Sequence, residues 1–250
     1  MEIWWLEQSS ADVPAADDWL GPGEKLRLDA MRFPKRRADW RLGRWTAKRA
    51  VAAYLKVACD PEMLARIEIR SALSGAPEVF LDNRRPAEVS VSITHRANVA
   101  ACAIAPPEIT IGCDLELVEP RSDAFLADYF TAAEQAFVMR MPAAERVVFS
   151  NLLWSAKESA LKVLKEGLRS DTRWVEVNLR ETAAQMPLKG STSASVDDTP
   201  LQVQDWHPLT VTHADRECLQ GWWQSAGELV RTIVTVPPAG APKVLPVVAR

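Results

Sequence analysis

No apolar stretch in this chain approaches the roughly 18 residues that a bilayer-spanning helix needs, so no membrane partner is expected. Histidine is scarce. The three histidines do not cluster, and the four cysteines (Cys59, Cys102, Cys113, Cys218) form no CxxC pair. Neither a zinc site nor a disulfide framework follows from such spacing, whereas free thiols in a reducing compartment do. An excess of either charge is also missing. With a net charge of −3 there is no basic field to draw in nucleic acid. The opening Met1-Glu2-Ile3-Trp4-Trp5 lacks a basic segment followed by an apolar core, so no secretory signal is expected and a cytoplasmic protein is. What is present is ordinary for a soluble globular protein: 250 residues, 48% hydrophobic and 25% charged, enough for one large or two small domains. The ten tryptophans read mainly as core filling.

Periodicity gives the organisation. Residues 2–6 read as a strand, 22–31 and 35–58 as helices, and Pro61 opens a short helix to residue 65. In the longer helix Trp40, Leu42, Trp45, Ala52 and Leu55 recur at helical spacing, with basic residues on other faces. Strands follow at 67–70, 79–81, 89–94 and 99–105, the last two joined at Ala97-Asn98 as a hairpin. Pro106-Pro107 marks a boundary. Beyond it, 109–116 reads as a strand. Thr131-Ala132-Ala133-Glu134 is a capping box that starts a helix to about 141, and 145–168 is a long helix ended by Gly167 and Arg169-Ser170-Asp171. A strand at 174–179, a polar loop at 190–199 and strands at 201–206, 209–213, 218–223 and 229–236 complete this part. Residues 237–250 carry four prolines and few anchors, and a loosely held tail is expected. Each half runs long helix, then strands.

Two short acidic stretches carry the chemistry. In Ile111-Gly112-Cys113-Asp114-Leu115-Glu116 the two acids are two apart on a strand and point the same way, with Cys113 and Leu115 turned to the core. On its own such a pair also fits two solvated acids on an exposed face. In Trp154-Ser155-Ala156-Lys157-Glu158-Ser159-Ala160-Leu161-Lys162, Glu158 and Lys162 share a helix face at i, i+4, at the edge of the apolar stripe. Lys157 points either to a ligand or to solvent. Three carboxylates brought together repel, and a hard divalent cation such as Mg²⁺ relieves this. Lysines beside such a metal suit the oxygens of a phosphate ester. At a strand end, Thr94, His95 and Arg96 add donors suited to an anion.

These residues, in this order, resemble the 4′-phosphopantetheinyl transferase superfamily in its larger, Sfp-like type. That type shows hydrophobic-Gly-hydrophobic-Asp-hydrophobic-Glu, here 111–116. It then shows Trp-Ser-x-Lys-Glu-Ser/Ala-x-x-Lys, here 154–162, after an upstream hydrophobic-Ser-His strand end, here Ile93-Thr94-His95. The resemblance spans about residues 20–180. It implies an α+β fold of two similar αβ halves related by a pseudo-twofold axis, a monomer with its active site between the halves. Residues 1–105 would form the half that meets the nucleotide and 3′-phosphate, and 106–236 the half with the metal and catalytic motifs, before the tail at 237–250.

The same resemblance implies roles. Asp114, Glu116 and Glu158 would be Mg²⁺ ligands, the metal bridging the diphosphate of coenzyme A. Glu158 would also deprotonate the attacking serine, directly or through water, and Lys162 would hold the diphosphate. Thr94 and His95 would meet the 3′-phosphate. Arg37 and Arg44, with Arg36 and the stretch from Lys25 to Arg27, would hold nucleotide phosphates, and Lys157 is a further candidate cofactor contact. Residues 129–138 resemble the region that meets the carrier protein. The implied reaction moves the phosphopantetheine arm of coenzyme A to a serine of an apo acyl or peptidyl carrier, in polyketide, nonribosomal-peptide or siderophore synthesis. A phosphoesterase or a non-catalytic coenzyme A binder built on the same acids are the competing readings. Two departures stand out. Members commonly carry Gly-Lys-Pro where this chain has Gly75-Ala76-Pro77, leaving Arg70, Arg84 or Arg85 to supply that cation, and Thr94 replaces the usual serine while keeping its hydroxyl.

Overall fold

The computed structural model describes residues 1–84, 89–166, 170–179, 206–214 and 218–246. The fold is α+β. Its first sheet is built around β1 (Trp4–Ser9), β4 (Ser90–Arg96) and β5 (Val99–Ala105), antiparallel in the order β1-β5-β4. The link from β4 to β5 is the expected two-residue turn. Ala97 and Asn98 both hold positive φ (50° and 63°), as the turn type that matches strand twist requires. The small side chains of β5 are buried on both faces, under α2 (Pro34–Tyr54) on one side and against the second sheet on the other. Proline at the first turn of α2 gives up only an N–H that would have had no helical partner. α1 (Pro22–Asp29), α3 (Pro61–Arg66) and the hairpin β2 (Ile67–Ser71)–β3 (Pro77–Leu81) pack around α2.

The second sheet is antiparallel throughout: β6 (Thr110–Leu117), β10 (Leu229–Val236), β9 (Leu219–Ala226), β8 (His207–His213) and β7 (Val175–Asn178), in that order. α4 (Asp123–Tyr129) and α5 (Ala132–Arg140) precede α6 (Ala143–Leu164), which lies across β6 and β10. Thr131 and Glu134 form the capping box read from the sequence. At Gly112 the main chain of α6 rests directly on β6, for a Cβ there would lie 2.0 Å from the Ser159 carbonyl oxygen. The Ser155 and Ser159 hydroxyls hydrogen-bond the Thr232 hydroxyl at 2.9 and 2.7 Å and fix the helix from the neighbouring strand.

A third apolar cluster, including Trp5, Ala101, Ala103, Ile111, Cys113 and Ile233, fills the space between the two sheets. Arg231 reaches across it and donates twice to Glu7, at 2.7 and 2.8 Å. Each long helix also carries a fully buried lysine locked in the same way. Lys48 of α2 pairs with Glu24 and donates to the carbonyls of Trp19 and Leu64. Lys157 of α6 pairs with Glu134 at 2.8 Å and donates to the carbonyls of Thr172 and Val175. Both glutamates sit at the third position of a short helix, bond their own helix's N-cap N–H, and accept from a strand N–H, Ile69 in one case and Val177 in the other. Burial holds Lys157 below and Glu134 above their ordinary values, and their contact opposes both shifts without cancelling them.

Three expectations change. The tail is not loose as far as residue 246: β11 (Lys243–Val244) pairs in parallel with β1, Leu245 donates to the Trp5 carbonyl at 2.8 Å, and its side chain is buried. The four prolines hide this signal, because the anchors, Pro242 and Leu245 among them, are isolated buried side chains with no periodicity. α6 ends at Lys165, in the left-handed conformation, short of residue 168. The helix α4 was not expected; it is a single amphipathic stretch started by the Ser122 hydroxyl. Gly167, Arg169, the loop at 190–199 and the strand expected at 201–206, apart from Trp206, lie outside the described residues.

Gly112→Ala should lower Tm by about 5 °C, since overpacking costs about 1–3 kcal/mol; an unchanged calorimetric Tm would show that the helix can move away. Lys157→Met leaves Glu134 buried without its cation and should destabilise by about 3–5 kcal/mol in urea unfolding. A cost near zero would mean that the pair is replaceable.

Candidate active site

β4 and β6 approach edge to edge without a backbone ladder between them, and side chains bridge the seam. The Ser92 hydroxyl accepts from the Cys113 N–H at 2.9 Å. Two residues further, the Thr94 hydroxyl donates to Asp114 Oδ1 at 3.1 Å. Lys162, from α6, donates to the same oxygen at 2.9 Å and to the Cys113 carbonyl at 2.7 Å. Asp114 is buried, and its second oxygen, Oδ2, has no partner. Glu116 continues along β6: Trp154 Nε1 donates to Oε1 at 3.1 Å, Arg121 donates to Oε2 at 3.1 Å, and Arg96 lies 3.5 Å from that oxygen. Arg121 is itself oriented by Asn151 Oδ1 at 2.8 Å.

Glu158 is the third acid. Burial first, then the nearby Asp114, pushes its carboxyl up to about 7, with Glu116 adding to the rise and Lys162 and Arg121 pulling it back. Burial, followed by Asp114, likewise raises Glu116, against Arg121, Arg96 and Trp154. The three acids therefore share one electrostatic field. Among the described residues no group of three or more His, Cys, Asp or Glu side chains is arranged to enclose a metal ion. The donor chemistry still fits a hard cation: a buried carboxylate oxygen stands unpartnered, and an adjacent carboxyl is pushed up to about 7 by burial and by the neighbouring acid.

Two cavities open beside this cluster, of about 620 and 630 Å³, sharing Gly75, Pro77 and Ile93 as common wall. The first is bounded by β3, β4, the start of β6 and the end of α6, with Lys162 and Lys165 on its wall. The second holds Lys35, Arg36, Arg44 and His95. Arg44 is nearly buried, stacked 5.1 Å over Trp40 and 3.9 Å from Glu24; burial pushes its pKa down to about 10, with Glu24 opposing. Lys35 is already paired with Asp39 at 2.7 Å.

The structure thus brings Thr94, Asp114, Glu116, Glu158 and Lys162 together and sets His95 and Arg44 in the adjoining cavity. It does not bring Arg37 or Lys157 there. Arg37 donates to the Leu28 and Met31 carbonyls and closes the end of α1. Lys157, expected as a cofactor contact, is turned into the core with its donors taken, because it lies on the other side of α6 from Lys162. Lys25 and Arg27 are exposed on α1 and line neither cavity. Of the residues considered for the cation missing at Ala76, Arg70 is committed to Glu68 at 2.6 Å, Arg84 is exposed away from both cavities, and Arg85 lies outside the described residues. Arg121 was missed as a partner of Glu116. Its one signal is its place five residues on, just after Pro120, in a turn that folds back over β6.

No curated protein matches the chain significantly. Residues 110–211 match the family model described as the 4′-phosphopantetheinyl transferase superfamily, a span that contains both acidic motifs and the whole of α6. That superfamily comprises transferases that move phosphopantetheine from coenzyme A to carrier proteins. The part of the chain on which Asp114, Glu116, Glu158 and Lys162 are mounted is thus similar to the 4′-phosphopantetheinyl transferase superfamily.

Proposed function

We propose that the chain transfers the 4′-phosphopantetheine arm of coenzyme A to a serine of an apo acyl or peptidyl carrier protein, in a Mg²⁺-dependent reaction that releases 3′,5′-ADP. By the resemblance, the carrier serves polyketide, nonribosomal-peptide or siderophore synthesis. The observation that carries this reading is the Thr94–Asp114–Lys162 cluster, with Glu158 and an unpartnered Asp114 oxygen beside it, next to a cavity that Lys162 lines and a second one that holds Lys35, Arg36, Arg44 and His95. The paired Lys–Glu locks support two similar halves, 1–105 and 106–236.

In this reading Asp114, Glu116 and Glu158 would hold the Mg²⁺, which would supply charge neutralisation at the diphosphate. The carrier serine oxygen attacks the β-phosphorus, forming a new P–O bond. The bond from that phosphorus to the bridging oxygen breaks, and the electron pair leaves on 3′,5′-ADP. The serine proton passes to Glu158, directly or through water. Lys162 has two of its three N–H donors committed to Asp114 and Cys113, so one is left for a phosphate oxygen as charge builds in transfer. His95, with Arg44 and Arg36 in its cavity, takes the 3′-phosphate. Thr94 acts on Asp114, fixing the oxygen that Lys162 also holds.

Mass spectrometry of an apo carrier incubated with the protein, coenzyme A and Mg²⁺ should show the phosphopantetheine mass on serine, lost with a chelator and restored by Mg²⁺. Phosphate or AMP release without a carrier would overturn the reading. Asp114→Ala should lower kcat by at least about 10²-fold, no less than Glu158→Gln. Near-wild-type turnover in Asp114→Ala would end the metal assignment.

A further inference from the structure

α6 closes as α2 does, on a lysine in the left-handed conformation, Lys56 at the end of α2 holding φ 55°. The Lys165 N–H bonds back to the Lys162 carbonyl at 3.2 Å and the Glu166 N–H to the Leu161 carbonyl at 3.1 Å, so the helix ends in a turn whose left-handed position is normally glycine. Here that position is Lys165, at φ 59°. A lysine is strained there, because its Cβ crowds the following carbonyl oxygen. This side chain lines the 620 Å³ cavity, one helical turn past Lys162. It makes no ion pair and no side-chain hydrogen bond among the described residues.

The place of Lys165 on that cavity, which Lys56 does not share, and the cavity's charge balance point to a use for it. Lys162 is neutralised by Asp114. The facing turn, with Gly75 and Ala76, offers no cation. An anionic ligand entering here finds one uncommitted positive group on the described wall, Lys165. Resting on the transferase reading, we propose that Lys165 is a second diphosphate-binding lysine, its ammonium group meeting the diphosphate oxygens of coenzyme A from the side opposite Asp114. Lys162 and Lys165 lie about one turn, roughly 5 Å, apart along the helix, a spacing that lets both reach one diphosphate. The 3′-phosphate lies in the second cavity and does not depend on Lys165.

Lys165→Ala, Lys165→Arg and Lys165→Gly, assayed with coenzyme A and with dephospho-coenzyme A, which lacks the 3′-phosphate, test this. The alanine and glycine variants should weaken binding in titration calorimetry and raise KM about tenfold, equally for both compounds. Arginine should restore most of the loss. Lys165→Gly should also keep or raise Tm, since glycine relieves the left-handed strain, so weaker binding in a fully folded variant is the signature expected. A loss confined to coenzyme A would move the lysine to the 3′-phosphate, and unchanged affinity for both would make it a surface residue; either overturns the proposal. If the wild type binds coenzyme A but transfers nothing to an apo carrier, the transferase reading fails instead, and the binding comparison still decides the place of Lys165.

Discussion

The absence of a side chain at residue 112 is the constraint on which the site depends. α6 approaches β6 so closely there that a single methyl group would overlap the Ser159 carbonyl oxygen. That approach sets the height of Glu158 and Lys162 above Asp114, because all three lie within one turn of the contact. A helix held off by an alanine-sized spacer would carry Lys162 away from an oxygen it now reaches at 2.9 Å. Thr232 strengthens the contact from the next strand by bonding Ser155 and Ser159, so the helix is fixed along its axis as well as in height. Preorganised charge is useful only where the groups cannot drift apart, and close main-chain packing with short hydroxyl ties provides that.

The seam between β4 and β6 supplies the other half of the arrangement. Two edge strands lying side by side without a ladder leave main-chain groups that need partners. Ser92 and Thr94 meet the need with short hydroxyls, one serving the Cys113 N–H and one the Asp114 carboxylate. The consequence is a buried polar line running out from an apolar interface toward His95 and the second cavity. A ladder at the same place would have joined the sheets more firmly and left no opening for a ligand.

Much of this was legible in the sequence. The strand that presents Asp114 and Glu116, the capping box at Thr131, the hairpin at Ala97-Asn98 and the long helix bearing Glu158 and Lys162 all rest on local periodicity and short-range hydrogen bonding. What stayed hidden depends on contacts distant in the chain. The β11–β1 pairing joins residues more than 230 apart, and its two-residue strand has no periodicity to read. Arg37 shows the same limit: a basic residue on a basic helix gives no sign that its guanidinium will close a neighbouring helix and not meet a phosphate. The strained close of α6 is also invisible locally, because Gly167, two residues on, is the residue that pattern reading selects as the stop.

Lys157 and Lys162 show how one motif divides its labour. They are five residues apart on α6, hence about 140° apart around its axis. One points down between the helix and β7, the other toward β6 and the cavity. Burying Lys157 fully would be costly if it were alone. Glu134 and two carbonyls offset that cost, and the same arrangement of Lys48 with Glu24 holds the other long helix. The inward lysines thus fix the helices from below, by interactions that water cannot weaken. Lys162, partly exposed and only partly satisfied, keeps a donor for a ligand. The N–H donors of these two lysines therefore fall into two classes, spent and available, and the face of the helix, more than the residue type, decides which is which.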